Sequence, residues 1–433
     1  MLGAFVKISF VISVFIFCAS SVFAAKASKA VPKTIAKTAQ KSETVKQVSQ
    51  PDPVVALADN VKAESPNSTI PIDIEVLAKQ AILVDYHTGT VFLQKNPDQQ
   101  MHPSSMTKIM TAYLVMEKVK AGVVSLDTLF TVSKNAWRPT SKESNMFLNI
   151  NDKVPVIDLL KGVIIQSGND ASVALAEGLS GSEEAFAAEM TRRAHELGAL
   201  NTNFINATGL PHPDHLTTPK DLVILAIHAL DDFPEYYHIY GEKEFTYGGI
   251  TQGNRNPLLY RNIGCDGIKT GKTEIGGYGI IASCVQQGQR LILVINGMPS
   301  VQTRADEAAK LITWGMRTFA NYSLFKAQQL IDQIPVLYGQ EDSLPVTVEK
   351  DAIVSLARVG RRDMKVKLNY HSPIAAPIQK GTPVGKIIVT SSVLPKPIEI
   401  PLFAAVTIEK AGFFKRLKDS MTYLFWGSTT KKE

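Results

Sequence analysis

Three short strings constrain this chain more than any other feature. They are Ser105-Met106-Thr107-Lys108, Ser167-Gly168-Asn169 and Lys269-Thr270-Gly271, in that order along 433 residues. Each alone is close to noise, because S-x-x-K arises easily by chance in a chain with 46 Lys and Arg. Together they supply a serine nucleophile, an amine base, a second hydroxyl with an amide, and a cation on a strand. That set suffices for acyl transfer through a covalent serine ester. A fold that uses it must bring a helix start, a turn between two helices and a strand to one place.

The local patterns put the strings on such elements. Residues 105–119 read as a helix, with Met106, Ile109, Met110, Tyr113 and Leu114 on an apolar face that Ala112, Val115 and Val119 widen. A helix so apolar on nearly every side is expected to be buried. Ser105 and Lys108, three positions apart, face the same side. Pro103 suits the entry of the chain into that helix and places Ser105 near its N-terminus. Free N–H groups and the positive end of the helix dipole there would stabilise an oxyanion and disfavour a protonated Lys108. An amine base has to be neutral, yet free lysine keeps its proton up to pH ~10.4. Holding it neutral near pH 7 costs roughly 4 kcal/mol, which burial, the helix end and a second cation at Lys269 would share. For S-x-x-K alone, a helix-end serine and a lysine reaching to solvent are the better reading.

Ser167-Gly168-Asn169 falls between a helix expected over 155–165 and another over 169–179. Ser167 is placed to relay a proton to a departing amine, and Asn169 to hold Lys108 or a substrate amide. By itself the string is an ordinary helix-linking turn. Lys269-Thr270-Gly271 lies in a strand expected over 267–270. Further strands follow over 279–284 and 291–295, with Gly276-Gly277 in the first turn. A glycine there lets a substrate backbone lie along the strand edge, and Lys269 and Thr270 suit a carboxylate. Alone, K-T-G would be a turn. Around these elements the sequence predicts a hairpin from 81–84 and 90–93 about a turn at 86–89. It also predicts helices over 183–197 (N-cap Ser182, stop Gly198), 219–230 (N-cap Thr218) and 304–319. Between 324 and 408, short β-rich runs separated by Pro and Gly read as a small separate β domain.

The two ends differ from the body. Lys7, the apolar run 8–18 and Val22-Phe23-Ala24 read as an export signal cut near Ala24. A retained transmembrane anchor is disfavoured by the shortness of that run and by the Lys-rich segment after it. Residues 25–71 read as a flexible linker. Residues 25–70 hold seven Lys against four acids, and 410–433 hold six Lys or Arg against two. The whole chain carries +6, so with Lys7 set aside the body between is about −2. Positive charge on extensions suits an anionic membrane surface or solubility, not a nucleic-acid stripe on the folded body. In the tail, Phe413, Phe414, Leu417, Met421, Leu424 and Phe425 recur at helical spacing beside Trp426, with basic Lys415, Arg416 and Lys418. That segment is too short and charged to span a bilayer and suited to lie in its interface. A helix docked on the protein is the alternative.

After cleavage Cys265 and Cys284 remain. They could pair in an oxidising compartment, although the reading leans to two half-buried thiols. His212-Pro213-Asp214-His215 reads as a turn rather than a set of metal ligands. No G-x-x-x-x-G-K-[ST] string supports a nucleotide site.

The strings occur within longer stretches: His102-Pro103 before the first, Ile164-Ile165-Gln166 and Asp170-Ala171 around the second, and Asp266-Gly267-Ile268 before the third. Asn206-Ala207-Thr208-Gly209-Leu210 and Leu311-Ile312-Thr313-Trp314-Gly315 add to them. This constellation resembles the serine penicillin-recognising enzymes, whose elements are S-x-x-K, S-D-N and K-T-G. It is most similar to the low-molecular-weight penicillin-binding proteins that act as D-alanyl-D-alanine carboxypeptidases. The resemblance implies a mixed α/β fold: a transpeptidase-like (β-lactamase-like) domain over 72–322, in which helices flank an antiparallel sheet. A small all-β domain over 323–409 and an amphipathic membrane-anchoring tail over 410–433 would follow, behind a signal peptide (1–24) and linker (25–71).

Carried over by position, the resemblance makes Ser105 the acylated nucleophile, Lys108 its base, and Ser167 and Asn169 the second element. Lys269, Thr270 and Gly271 would bind substrate, with Arg304 on the terminal carboxylate, and the backbone N–H groups of Ser105 and Lys272 would form an oxyanion hole. The alternative for Arg304 is a surface residue at a helix start. Many relatives carry histidine at position 272, but a main-chain donor survives that change. The implied reaction removes the terminal D-alanine from peptidoglycan stem pentapeptides, without metal or cofactor, and β-lactams would acylate the same serine. The implied location is periplasmic, peripherally bound to the outer face of the inner membrane. A β-lactamase is disfavoured by Gly168, where those enzymes carry aspartate, and by the lack of an E-x-x-L-N string between Asn169 and Lys269. A D,D-endopeptidase stays open. A non-catalytic cell-wall-binding protein would tolerate loss of the motif residues, and all are present.

Overall fold

Near-continuous apolar runs along the central strands, buried on both faces, set the architecture. The structure, a computed structural model, describes residues 74–138 and 144–426. The expected export segment, the linker and the chain beyond Trp426 lie outside the described residues, as do the side chains of Phe425 and Trp426. Strands β1 (Gln80–Asp85) and β2 (Val91–Lys95) form the expected hairpin. Buried Asp85 holds its turn by accepting from the His87 and Thr88 N–H groups, each at 3.0 Å. Two small antiparallel ribbons, β3 (Leu129–Thr131) with β4 (Lys153–Pro155) and β5 (Glu244–Tyr247) with β6 (Ile250–Gly253), were not foreseen, being short and half exposed. Then come β7 (Cys265–Thr273), β8 (Gly277–Gln286) and β9 (Gln289–Met298). The central sheet runs β2-β1-β9-β8-β7, all antiparallel, with β7 at one edge.

Successive side chains of a strand point to opposite faces, so the sheet has two apolar sides. Ile82, Val84, Ile281, Ile292 and Val294 face a helical core. Helices α1 (Lys108–Lys120), α2 (Lys134–Trp137), α3 (Val156–Lys161), α4 (Asn169–Ser180), α5 (Glu183–Glu196) and α6 (Pro219–Asp232) contribute to it. Ala81, Leu83, Ile280, Ala282 and Leu293 face the other way, onto Ala308, Leu311 and Ile312 of α7 (Val301–Thr318). Ser182, Thr218 and Ser300 cap α5, α6 and α7 by accepting the N–H three residues on, worth about 1 kcal/mol each. α7 starts at Val301 rather than at the expected 304, because Ser300 and Thr303 close a capping box. Arg304 therefore falls within its first turn and is buried, which corrects the surface alternative.

Cys265 and Cys284 form a disulfide, which corrects the leaning toward free thiols. They are register partners across β7 and β8, so the sheet itself brings them together. With a sequence separation of 19, such a cross-link contributes about 3 kcal/mol in a chain-entropy account.

Beyond α7 the chain is β-rich as expected. β10 (Phe319–Phe325) crosses the expected boundary at 322 and pairs with β13 (Ala352–Ala357). β11 (Asp332–Leu337), β12 (Ser343–Thr347), β14 (Lys365–Tyr370), β15 (Ile374–Ala375), β16 (Pro383–Thr390) and β17 (Ile398–Ala404) form a second sheet, ordered β14-β16-β17-β12-β11-β15. Ile334, Leu344, Val346, Ile387 and Leu402 bury a core of their own there. Phe319 stacks on Phe92 with ring centroids 3.9 Å apart, and Asn321 Nδ2 donates to Asp85 Oδ2 at 2.8 Å, so the separate β10–β13 ribbon is joined to the β1–β2 hairpin. The final helix, α8 (Phe413–Trp426), lies where the tail was expected to be helical. No helix among the described residues is long and apolar enough to cross a membrane.

Candidate active site

The nucleophile string spans two kinds of helix. Ser104–Thr107 form a 3-10 turn that runs into α1 at Lys108, so Ser105 sits one turn ahead of the α-helix rather than in it. The three-residue spacing still brings the pair together: Lys108 Nζ lies 3.2 Å from Ser105 Oγ. Lys108 is 1% exposed, whereas Ser105 is half-buried and reachable. The Lys108 amine also donates to Asn169 Oδ1 at 2.7 Å and to the Thr208 carbonyl at 2.6 Å. Two distant parts of the chain thus aim one amine at one hydroxyl.

The second string depends on a local irregularity. α3 ends at Lys161 and widens into a π-turn, Gly162–Gln166, instead of continuing as a regular helix to 165. Pro155 is the residue that enters α3 and not part of its first turn. The widened turn ends on Ser167, held left-handed at φ 60°, ψ 32°, and α4 starts two residues later at Asn169. Such bulges and strained residues occur where a side chain must be re-aimed. Here the result is that Ser167 Oγ accepts from Lys269 Nζ at 2.9 Å, across the gap between the helical layer and β7.

Lys269 is 3% exposed and also donates to the Thr270 carbonyl at 3.1 Å. Burial pushes its ammonium well below the ordinary lysine range, and the neighbouring basic side chains of Lys108, Arg255 and Arg304 push the same way. Burying a charge without an opposite partner is unfavourable. Among the described residues no carboxylate lies within ion-pair distance of Lys269 or Arg304, so the cluster suits an anion. Arg304 is 5% exposed, and its Nε has no hydrogen-bond partner among the described residues. Its guanidinium lies 6.0 Å from the centre of the Tyr278 ring, and burial lowers it to about 10. It is still charged at neutral pH. Gly271 is required for close approach: a Cβ there would come within 2.8 Å of the Pro103 carbonyl oxygen. As the edge strand, β7 has a strand partner on one side only. Exposed Lys272 on that edge lies 5.2 Å from the same Tyr278 ring.

The structure therefore gathers every residue expected at the site. Lys108 is hydrogen-bonded to Ser105 and Asn169, and Lys269 to Ser167, with Thr270, Gly271 and Lys272 on the same strand as Lys269 and Arg304 beside Tyr278. Three contributors had no role assigned from the sequence: the Thr208 carbonyl, Arg255 and Tyr278. Thr208 lay within a string already singled out. Its carbonyl is fixed because Asn206 Oδ1 accepts from the N–H groups of Thr208, Gly209 and Leu210. Arg255 donates from Nε to the Gln166 carbonyl at 3.0 Å, a contact with no sequence signal. The histidines of 212–215 diverge. Asp214 N–H donates to His212 Nδ1 at 3.2 Å, while buried His215 turns to Thr107 Oγ1 at 2.8 Å.

Comparison with known proteins agrees with this geometry. Residues 60–300 match the peptidase family described as D-alanyl-D-alanine carboxypeptidase, and residues 319–410 match the C-terminal domain of penicillin-binding protein 5. The chain is 38% identical over 355 residues to D-alanyl-D-alanine carboxypeptidase DacC of Escherichia coli (strain K12), covering 80% of this chain and 88% of that one. It is 36% identical over 318 residues to D-alanyl-D-alanine carboxypeptidase DacA of Haemophilus influenzae, covering 72% and 81%. The crystal structure of penicillin binding protein 5 from Haemophilus influenzae superposes with a TM-score of 0.73 at 34% identity, over 78% of this chain and 99% of that one. With Lys108 bonded to Ser105, Lys269 bonded to Ser167, and these matches over most of its length, the chain belongs to the serine D-alanyl-D-alanine carboxypeptidase family.

Proposed function

We propose that this carboxypeptidase releases the terminal D-alanine of a peptidoglycan stem pentapeptide through an acyl-enzyme on Ser105. The observation that carries the reading is the 3.2 Å approach of Lys108 Nζ to Ser105 Oγ. Ser105 Oγ attacks the carbonyl of the D-Ala-D-Ala bond and passes its proton to neutral Lys108. The carbonyl oxygen becomes an oxyanion, held by the N–H groups of Ser105 and Lys272. The C–N bond then breaks as a proton reaches the departing amine through Ser167, whose hydroxyl is held by Lys269. D-alanine leaves and an ester remains. A water molecule loses a proton to the base, adds to the ester carbonyl and regenerates Ser105 as the proton returns to its oxygen. Arg304 and Thr270 bind the terminal carboxylate, which distinguishes a carboxypeptidase from an enzyme acting on internal bonds. β-Lactams would acylate the same serine and stop at the ester.

The wider setting belongs to the same reading. Export through residues 1–24, a linker over 25–71, a catalytic domain over 72–322 and a β domain over 323–409 would place the site in the periplasm. α8 would hold it at the outer face of the inner membrane. In support, Phe413, Phe414, Leu417, Met421 and Leu424 are exposed along one side of that helix. Its other side is tied down: Tyr338 N–H donates to Asp419 Oδ2 at 2.9 Å, and Lys415 pairs with Asp342 at 2.7 Å.

Purified full-length protein should be labelled by a fluorescent penicillin and should release D-alanine from a D-Ala-D-Ala pentapeptide. Ser105→Ala should abolish both. Labelling that persists in the variant at another residue refutes the assignment.

A further inference from the structure

The two donors proposed for the oxyanion hole sit on separate elements, and their spacing is not fixed by either one. The Ser105 N–H belongs to the 3-10 turn and the Lys272 N–H to the edge strand β7. One side-chain bond spans the gap between them. Ser104, immediately before the first donor, gives its hydroxyl proton to Oγ1 of Thr273, immediately after the second, at 2.9 Å. We propose that Ser104 and Thr273 are positioning residues that set the separation of the two oxyanion donors. This deepens the reading above and rests on it.

Three observations on the same atoms support it. Ser104 is buried and held at φ 52°, a left-handed conformation that a serine keeps only when its surroundings impose it. Thr273 Oγ1 also accepts the Gly276 N–H at 2.9 Å, so one oxygen ties the nucleophile turn both to the end of β7 and to the turn leading into β8. That turn packs hard against the bond. A Cβ at Gly276 would come within 2.8 Å of Thr273 Oγ1 and 3.3 Å of Ser104 Oγ. Neither side chain reaches the reacting atoms. They act through the backbone: a change in their contact moves the N–H groups of Ser105 and Lys272 relative to each other. Oxyanion donors are useful only at hydrogen-bond distance from where the negative oxygen will form. Displacements of about 1 Å cost rate up to about a hundredfold.

The test separates positioning from simple stability. In full-length protein, Ser104→Ala should slow the acylation step with a chromogenic penicillin about tenfold. The pre-covalent dissociation constant should stay within about twofold. A peptide boronic acid, which forms a tetrahedral adduct on Ser105, should bind more weakly by the same factor as the rate. Thr273→Ser keeps the hydroxyl and should retain the wild-type rate. Thr273→Val should lose at least as much as Ser104→Ala, and Ser104→Ala/Thr273→Val should be no slower than Thr273→Val alone. If Ser104→Ala folds poorly, Ser104→Gly removes the hydroxyl while tolerating the left-handed backbone and gives the same reading. An unchanged acylation rate, equal losses in binding and chemistry, or additive losses in the double variant would overturn the proposal. Wild-type protein that is not labelled on Ser105 would instead refute the acyl-enzyme reading itself.

Discussion

Lys269 Nζ and Ser167 Oγ lie 2.9 Å apart, although 102 positions separate the two residues in the chain. This bond links the edge of the sheet to the helical layer. It places a buried amine, whose charged form burial disfavours, against a hydroxyl rather than a carboxylate, an arrangement that suits catalysis and does little for stability. Lys269→Met should therefore slow penicillin acylation by about a hundredfold or more, as for loss of a group that steers proton transfer. Its melting temperature should be equal to or above that of the wild type, because a buried amine with no carboxylate partner is replaced by an apolar side chain. Stopped-flow acylation and thermal melts check both. A lower melting temperature would show that Lys269 stabilises the fold.

Arg304 has a buried Nε with no hydrogen-bond partner among the described residues, so an anionic ligand would complete it. A charge-assisted hydrogen bond of ~1.5–3 kcal/mol corresponds to roughly ten- to a hundredfold in kcat/KM. Arg304→Ala should lose that much on a peptide ending in a free carboxylate, and much less on the matching C-terminal amide. Equal losses on both substrates would assign Arg304 a structural role.

His215 makes stability depend on pH. Its Nδ1 accepts the Ile205 N–H at 3.1 Å, so the other nitrogen carries the proton given to Thr107. Burial lowers its pKa to about 4, and the neighbouring basic side chains of His102, His212 and Lys108 push the same way. The unfolded chain takes up this proton near pH 6.5, the folded chain only near 4, so the unfolded state binds more protons in between. His215 should therefore make no pH-dependent difference above about 6.5 and should progressively destabilise the fold as pH falls to 4, by roughly 3 kcal/mol in all. Chemical denaturation of wild type and His215→Gln across that range should show the slope reduced in the variant. Equal slopes would mean that His215 is not the group responsible.

Removal of the chain after Lys410 should release the protein from membranes with peptidase activity retained. Several apolar side chains buried at ~1.5–3 kcal/mol each, plus roughly 1 kcal/mol for each basic residue near anionic lipid, would hold α8 at an interface. Fractionation and D-alanine release check this together. Truncated protein that still sediments with membranes contradicts the anchor. Protein that becomes soluble and inactive would show that the helix also supports the enzyme.

What the sequence determined by itself was chiefly local. Ser182 and Thr218 mark helix starts because a side-chain oxygen three residues before a free N–H needs no distant partner. The β1–β2 hairpin and the helix beginning near Ser105 follow from apolar spacing alone. The order of the three strings was legible because their residue types are set by chemistry. The tertiary structure decided everything that depends on register or on a backbone departing from the regular pattern. The Cys265–Cys284 bond exists because β7 and β8 pair in one register, which neither strand specifies alone. The π-turn before Ser167 and the left-handed Ser104 are conformations that local propensity disfavours and that only packing around them maintains. The carbonyl of Thr208 belongs to the backbone, which every residue possesses, so no residue type could announce it. It became a partner of Lys108 only when the fold brought that loop against α1.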